Sequence, residues 1–189
     1  MVKAASWSGL IVALAVQAAG SNMLVNGDAA GGTGGWITSG PAKAERAGAQ
    51  TFFVVRAKGS LQQEVRLPPE SVGMYAALVG KGESDRVNED GSITGLPYLY
   101  GMVTARDRTR FLAYWQGQDM RARPSQPGQW VKMSGVFSVP YGAAWVSIQL
   151  RQAERKDSPQ NGSAARFSDV RLVLFPTEAA ARAYVEEYK

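Results

Sequence analysis

Aromatic and polar side chains suited to sugar binding alternate along two segments of the chain. Tyr98 and Tyr100 are two positions apart, and Trp145, Gln149 and Arg151 lie at even separations in a second segment. If both segments are β-strands, each set shares one face, because successive side chains point to opposite sides of a sheet. Aromatic rings stack on the apolar faces of sugars, and amide and guanidinium groups bond hydroxyls. These five residues are therefore predicted to form a glycan-binding cleft.

A second interpretation of the same residues remains open. The aromatic face could lie beneath a long loop, beneath a C-terminal helix or at a subunit interface, where Tyr, Trp and Arg are enriched. Sequence alternation places the side chains on one face, and it leaves open what covers them.

The residue types exclude much catalytic chemistry. The chain has no His and no Cys, which removes the usual zinc ligands, the Ser-His and Cys-His nucleophile pairs, and disulfides. A glycosidase needs two carboxyl groups facing each other across a cleft, and the spacing of the acids singles out no such pair. We predict that the protein is not an enzyme and has no catalytic residue.

Composition indicates one globular domain without a nucleic-acid partner. The chain has 189 residues, of which 45% are hydrophobic and 20% charged, and this balance is typical of a folded domain. Its net charge of +5 comes from scattered Lys and Arg that form no run. The charge therefore predicts no nucleic-acid binding.

Short strands separated by Gly, Pro, Asn and Asp predict an all-β fold. Apolar residues at alternate positions mark core-facing sides: Leu61, Val65 and Leu67; Leu99 and Val103; Val146, Ile148 and Leu150. The nine predicted strands are residues 23–25, 51–56, 61–67, 73–79, 98–105, 110–116, 130–139, 144–152 and 166–175. Nine short strands are typical of two packed sheets.

Three features outside this strand pattern carry further expectations. The polar segment 80–97 is predicted to be a long loop, and Arg106, Asp107, Arg108 and Arg110 are predicted to form a solvated hairpin tip. Residues 177–189 are predicted to be a short C-terminal helix capped by Thr177.

Residues 1–21 form an apolar N-terminal segment with two interpretations. Lys3, the apolar stretch 10–16 and the small residues after it are typical of a secretory signal. The alternative is a retained arm that packs on its own domain or on a neighbouring subunit. The apolar stretch is shorter than the about 20 residues of a membrane span, so no stable membrane anchor is predicted. The predicted organisation is residues 1–21, a domain at 22–176 and the helix at 177–189.

Three motifs in order resemble one fold family. They are the Asn-Gly-Asp opening at residues 22–28 followed by Trp36, the Trp-led strand at 129–140, and the Phe-Ser-Asp-Val-Arg-Leu segment at 167–172. Together they resemble galactose-binding-like jelly rolls, including carbohydrate-binding modules of the xylan- and glucan-binding type. The resemblance implies a two-sheet jelly-roll β-sandwich in which Trp36 and Trp130 pack in the core.

The same resemblance implies a structural calcium ion in many relatives. Its candidate ligands here are Asp28 and Asp169. The chain departs from the family pattern, because Ala29 and Ala30 stand at the early acidic place and Ser168 replaces the first acid of the Asp pair. These departures predict a lost or weakened site, and no cofactor is expected.

Two functions follow from this combination. One is a non-catalytic structural or binding subunit of a virion, such as a decoration, fibre or tail protein, or of another surface assembly. Its partners would be other protein subunits, in a homo-oligomer or larger assembly, and its place the virion or cell surface. The alternative is a glycan-binding module, secreted after signal cleavage, that stacks sugars on the aromatic face.

Overall fold

A computed structural model describes residues 20–85, 95–153 and 163–189 of the chain. Most of the N-terminal segment, predicted to be a signal or an assembly arm, and residues 86–94 of the predicted loop lie outside these ranges. Within them, no helix has the length and apolar character needed to cross a membrane.

The described chain forms two antiparallel sheets of five strands each. Sheet A has the strand order β1-β4-β9-β6-β7, and sheet B has the order β2-β3-β10-β5-β8. The strands are β1 (Ile37–Ser39), β2 (Ala42–Ala47), β3 (Gln50–Arg56), β4 (Ser60–Arg66), β5 (Tyr75–Ser84), β6 (Pro97–Thr104), β7 (Phe111–Trp115), β8 (Val131–Ser138), β9 (Trp145–Gln152) and β10 (Ala164–Phe175). The predicted two-sheet β-sandwich is confirmed.

The core lies between the sheets and is built by the alternation visible in the sequence. Val146, Ile148 and Leu150 of β9 are completely buried, and they meet Phe53 and Phe167 of sheet B in one apolar cluster. The other residues predicted to face the core are buried as well: Leu61, Val65, Leu67, Leu99 and Val103. Because burial of large apolar side chains is the main stabilising contribution, this layer fixes which face of each strand points outward.

Three strand predictions were wrong or incomplete. Residues 23–25 do not form a strand. Met23 N donates one backbone hydrogen bond to Leu172 O of β10 at 2.8 Å, but Leu172 N donates to the Asn22 side chain at 2.9 Å, and the next two residues after Met23 then form bends. The strands β1 and β2 were missed, since they are short edge strands without an apolar alternation. In addition, β5 continues to Ser84, so the predicted loop starts later than residue 80.

A buried ion pair explains why β5 extends through polar residues. Glu83 of β5 is 4% exposed, and its carboxylate accepts two hydrogen bonds from Arg166 Nη1 of β10, at 2.7 and 3.0 Å. These two residues are register partners in sheet B. The pair allows a carboxylate to be buried within a strand, which an isolated charge could not be.

The Asn-Gly-Asp motif at residues 26–28 shapes the loop that precedes Trp36. Asn26 accepts a hydrogen bond from Gly31 N at 2.7 Å and donates to Gly32 O at 2.8 Å, which closes the loop ahead of Trp36. Gly27 lies against β10, where an added Cβ would come 2.0 Å from Val170 O. The motif therefore determines how the loop packs, and only glycine fits that contact.

The two tryptophans of the family resemblance have different environments. Trp36 is 6% exposed, and its ring packs against that of Phe53 in a tilted contact with centroids 5.2 Å apart, so its predicted place in the core is confirmed. The same prediction was wrong for Trp130, which is half-buried and packs with Phe52 in a small separate cluster. Trp130 immediately precedes β8, and the core side of β3 is occupied by Phe53 and Val55.

The C-terminal helix is confirmed as α1 (Glu178–Glu187). Thr177 caps it by accepting a hydrogen bond from Ala180 N at 3.3 Å, and Tyr184 packs 5.3 Å from Phe175 of β10. The helix contacts β5, β8 and β10, all in sheet B. It therefore does not cover the outer face of sheet A.

We expect Gln63→Leu to destabilise the fold. Gln63 is buried on β4 and binds three backbone groups: Val25 N at 2.8 Å, Val25 O at 3.0 Å and Gly35 O at 3.0 Å. Leucine keeps the bulk but leaves these groups unsatisfied, at a cost of about 2 to 4 kcal/mol in the free energy of unfolding. Urea denaturation measures the loss. Gln62→Leu, one position along on the outer face, is the control, and equal stability of the two variants would contradict this role of Gln63.

Candidate functional site

The strand register of sheet A brings most of the predicted site residues together. On β9 and β6, Arg151 is paired with Tyr98, and Gln149 with Tyr100. These side chains lie on the outer face, because their neighbours Leu99 and Leu150 are buried in the core. The prediction that they share a non-core surface is confirmed for these four residues.

Tyr98 and Tyr100 form a stacked pair at the centre of this cluster. Their ring centroids are 5.1 Å apart with an interplanar angle of 25°. The Tyr100 hydroxyl donates to Gln149 Oε1 at 2.5 Å and accepts from Arg151 Nη1 at 3.4 Å. The aromatic surface is thus held in place by polar side chains of the neighbouring strand.

An open cleft of about 370 Å³ lies beside the stacked pair. We call it the tyrosine cleft, and its lining includes the side chains of Tyr98, Tyr100, Tyr114, Gln116, Arg121 and Arg151. Among the described residues, the lining includes no Asp or Glu. The cleft therefore combines aromatic surface with amide and guanidinium donors and carries positive charge.

Arg121 and Gln116 are site residues that sequence reasoning missed. The Arg121 guanidinium lies 4.4 Å from the Tyr98 ring centroid, and the Tyr98 hydroxyl donates to Gln116 Oε1 at 2.8 Å. Burial raises the pKa of the Tyr98 phenol, although the Arg121 charge opposes the shift, so the hydroxyl remains a donor at neutral pH. Arg121 lies outside the regular strands and meets Tyr98 through an isolated β-bridge, for which the sequence carries no periodic signal.

Trp145, the fifth predicted residue, lies at the other end of the same face. It is four positions from Gln149 along β9, which corresponds to about 13 Å. The guanidinium of Arg108 covers its ring at 3.8 Å from the centroid and is bound by Glu64 Oε2 at 3.0 Å. The structure therefore does not bring Trp145 together with the tyrosine pair.

The charged hairpin tip between β6 and β7 is an exposed turn, as predicted, but the prediction missed that Arg108 also contacts Trp145 and Glu64. Asp107 accepts hydrogen bonds from the backbone N–H groups of Arg110 and Thr109, each at 3.1 Å, and these bonds lower the pKa of its carboxyl. Arg108 has a φ of 61°, which is uncommon outside glycine. The turn thus folds Arg108 back over sheet A.

The residues at the proposed calcium position do not fit the ion. Both carboxylate oxygens of Asp169 accept hydrogen bonds from Arg171, at 2.7 and 3.0 Å. Asp28 accepts from Ala30 N at 3.1 Å, and no group of three or more acidic, His or Cys residues occurs in the described ranges. Calcium takes about six to eight oxygen ligands, and here a guanidinium already neutralises Asp169.

Arg108→Ala should uncover Trp145. Removing the guanidinium exposes one face of the indole ring, so quenching of tryptophan fluorescence by acrylamide should increase. Arg106→Ala removes a charge from the same turn without touching the contact between Arg108 and Trp145, and should leave quenching unchanged. Identical quenching of the two variants would show that Arg108 does not cover the ring in solution.

Comparison with known proteins assigns the fold. No protein-family model and no curated protein matches the chain. The enzymatically active domain of bacteriophage CBA120 tailspike protein 4 matches with a TM-score of 0.58 at 12% identity, over 82% of this chain and 21% of that one. The CBM22-1 xylan-binding domain of Paenibacillus barcinonensis Xyn10C matches with a TM-score of 0.52 at 14% identity, over 84% of this chain and 97% of the domain.

A third match is the arabinose-bound MgGH51 α-L-arabinofuranosidase, with a TM-score of 0.52 at 12% identity, over 86% of this chain and 27% of that one. The chain thus spans less than a third of the tailspike and of the arabinofuranosidase, but nearly all of the xylan-binding domain. At these identities the likeness defines the fold alone. The chain has the jelly-roll fold of carbohydrate-binding modules, as its sequence motifs predict.

Proposed function

We propose that this protein is a non-catalytic carbohydrate-binding module that holds a glycan in the tyrosine cleft. The observation that carries the proposal is the stacked pair of Tyr98 and Tyr100 beside an open cleft of about 370 Å³ on the outer face of sheet A. Sugar rings present apolar faces to aromatic surfaces and hydroxyls to polar groups, and the cleft offers both surfaces side by side.

The polar residues around the pair suit hydroxyl recognition. Gln116 and Gln149 provide amides that both donate and accept, and Arg121 and Arg151 provide guanidinium donors. Contacts with Gln149 and Arg121 already hold the two rings, so less side-chain freedom is lost when a ligand binds. A preorganised aromatic surface of this kind favours affinity for extended sugar chains.

Two further observations support binding rather than hydrolysis. The described residues lining the cleft include no carboxylate, whereas glycoside hydrolysis commonly uses two. The Xyn10C domain whose length the chain nearly matches is named for xylan binding, and it has the same fold.

Removing the Tyr98 ring should weaken glycan binding, and removing only its hydroxyl should not. Tyr98→Ala loses the stacking surface, and we expect about a tenfold lower affinity in affinity electrophoresis against polysaccharides that the unmodified protein retains. Tyr98→Phe keeps the ring and should retain most of the binding. Thermal unfolding of both variants checks the fold. Unchanged retention of the alanine variant would place the binding site elsewhere.

A second proposal concerns where the module works. The match to a bacteriophage tailspike domain has the highest TM-score of the three structures described above, and it favours a virion or other surface assembly in which this chain meets other protein subunits. Residues 1–20 are the segment proposed to mediate those contacts. An assembly role is compatible with glycan binding, because one surface protein can contact other subunits and bind a glycan at a separate site.

Deleting residues 1–20 should abolish assembly if this second proposal holds. Light scattering after size-exclusion chromatography measures the mass of the full chain and of the truncated chain, and we expect a multimer only for the former. Intact mass of the protein from its native source shows whether the segment is kept. A native protein that lacks residues 1–20, or a truncated chain that assembles normally, would contradict the proposal.

A further inference from the structure

A second groove lies on the same face as the tyrosine cleft, at the opposite end of β9. Its volume is about 710 Å³, and its lining includes Arg66, Arg106, Arg108 and Trp145. We call it the arginine groove. In sheet A, Arg66 is the register partner of Trp145, so the groove continues the row of outward side chains that begins at Arg151.

The arginine groove is strongly cationic and its charge is only partly compensated. Arg108 is paired with Glu64, but the side chains of Arg66 and Arg106 make no ion pair or hydrogen bond within the described parts of the chain. The described lining of the groove contains no Asp or Glu. Two exposed guanidinium groups are therefore available to an anion.

The tyrosine cleft carries the same sign of charge at the other end of the face. Arg121 and Arg151 line it, and Arg151 lies six positions from Trp145 along β9, or about 20 Å. Between these two ends of β9, Gln149 is uncharged and the side chain of Ser147 is buried. Glu64 of β4, the register partner of Ser147, is partly exposed and is paired with Arg108. Within the described chain, the face thus presents unpaired cations at both ends, and between them an amide and a carboxylate that is already bound to Arg108.

We infer that the ligand is an acidic polysaccharide, which runs along β9 and places carboxylate or sulfate groups in the arginine groove. This inference rests on the proposed function, since the sugar rings are held at the tyrosine cleft. Arginine suits the role because its planar group of donors matches the oxygens of such anions in pairs. A nucleic acid fits less well, because its phosphates would need a continuous basic track, which Gln149 and the carboxylate of Glu64 interrupt.

A matched pair of polymers separates charge recognition from sugar recognition. Binding of polygalacturonate, alginate and a sulfated galactan is measured by isothermal titration calorimetry beside their carboxyl-reduced or desulfated counterparts. We expect at least one acidic polymer to bind about tenfold more tightly than its neutral counterpart, and added salt to remove this difference.

The variant Arg66→Gln/Arg106→Gln should lose this preference while still binding the neutral counterpart with unchanged affinity. Arg46→Gln/Lys189→Gln is the control, because it removes the same charge from exposed positions away from both clefts. Equal affinity for acidic and neutral polymers, or an equal loss in both double variants, would overturn the inference and leave the proposed function intact.

Two other binding results would overturn the inference. If none of these polymers binds, the inference is overturned, and retention of neutral polysaccharides in affinity electrophoresis tests the proposed function separately. If a single-stranded oligonucleotide displaces the acidic polymer at equal concentration of charges, the groove accepts any polyanion, and the inference of a glycan ligand is overturned.

Discussion

The pairing of β9 with its two neighbours is the constraint on which both the core and the candidate site depend. In this register Val146 and Leu150 point inward, and Gln149 and Arg151 point outward, each aligned with a tyrosine of β6. A shift by one residue would bury the polar set and expose the apolar set. The free energy of core burial therefore also determines the composition of the outer face, and no separate interaction is needed to assemble it.

Polar side chains hold the irregular opening segment and the end of α1 against the sheets, where no strand pairing is available. Gln63 binds backbone groups of the opening segment, and Asn22 of that segment accepts a hydrogen bond from Leu172 N of β10. Arg171 binds Asp169, one of the two residues that the family resemblance implies as calcium ligands. The Tyr188 hydroxyl donates to Asp169 O at 2.7 Å, which ties the end of α1 to the same place. The guanidinium of Arg171 thus neutralises the Asp169 carboxylate within the chain itself.

The outer face of sheet A has two ends with different chemistry. At one end the stacked tyrosines line an open cleft, with Arg121 against the Tyr98 ring, whereas at the other end Arg108 lies over the Trp145 ring. The first end therefore offers aromatic rings and amide groups together. At the second end, exposed guanidinium groups are available to bind an anion. The two ends therefore suit different parts of one ligand, the sugar rings and their charged substituents.

The sequence by itself determined the sandwich, the identity of the core residues, the helix and the common face of Tyr98, Tyr100, Gln149 and Arg151. These features follow from alternation and capping, which are local patterns set by backbone geometry. Only the tertiary structure decided that Arg108 covers Trp145, that Arg121 joins the tyrosines and that a cationic groove lies at the far end. These contacts join segments distant in sequence through turns and edge strands, whose positions depend on long-range packing and leave no periodic trace in the chain.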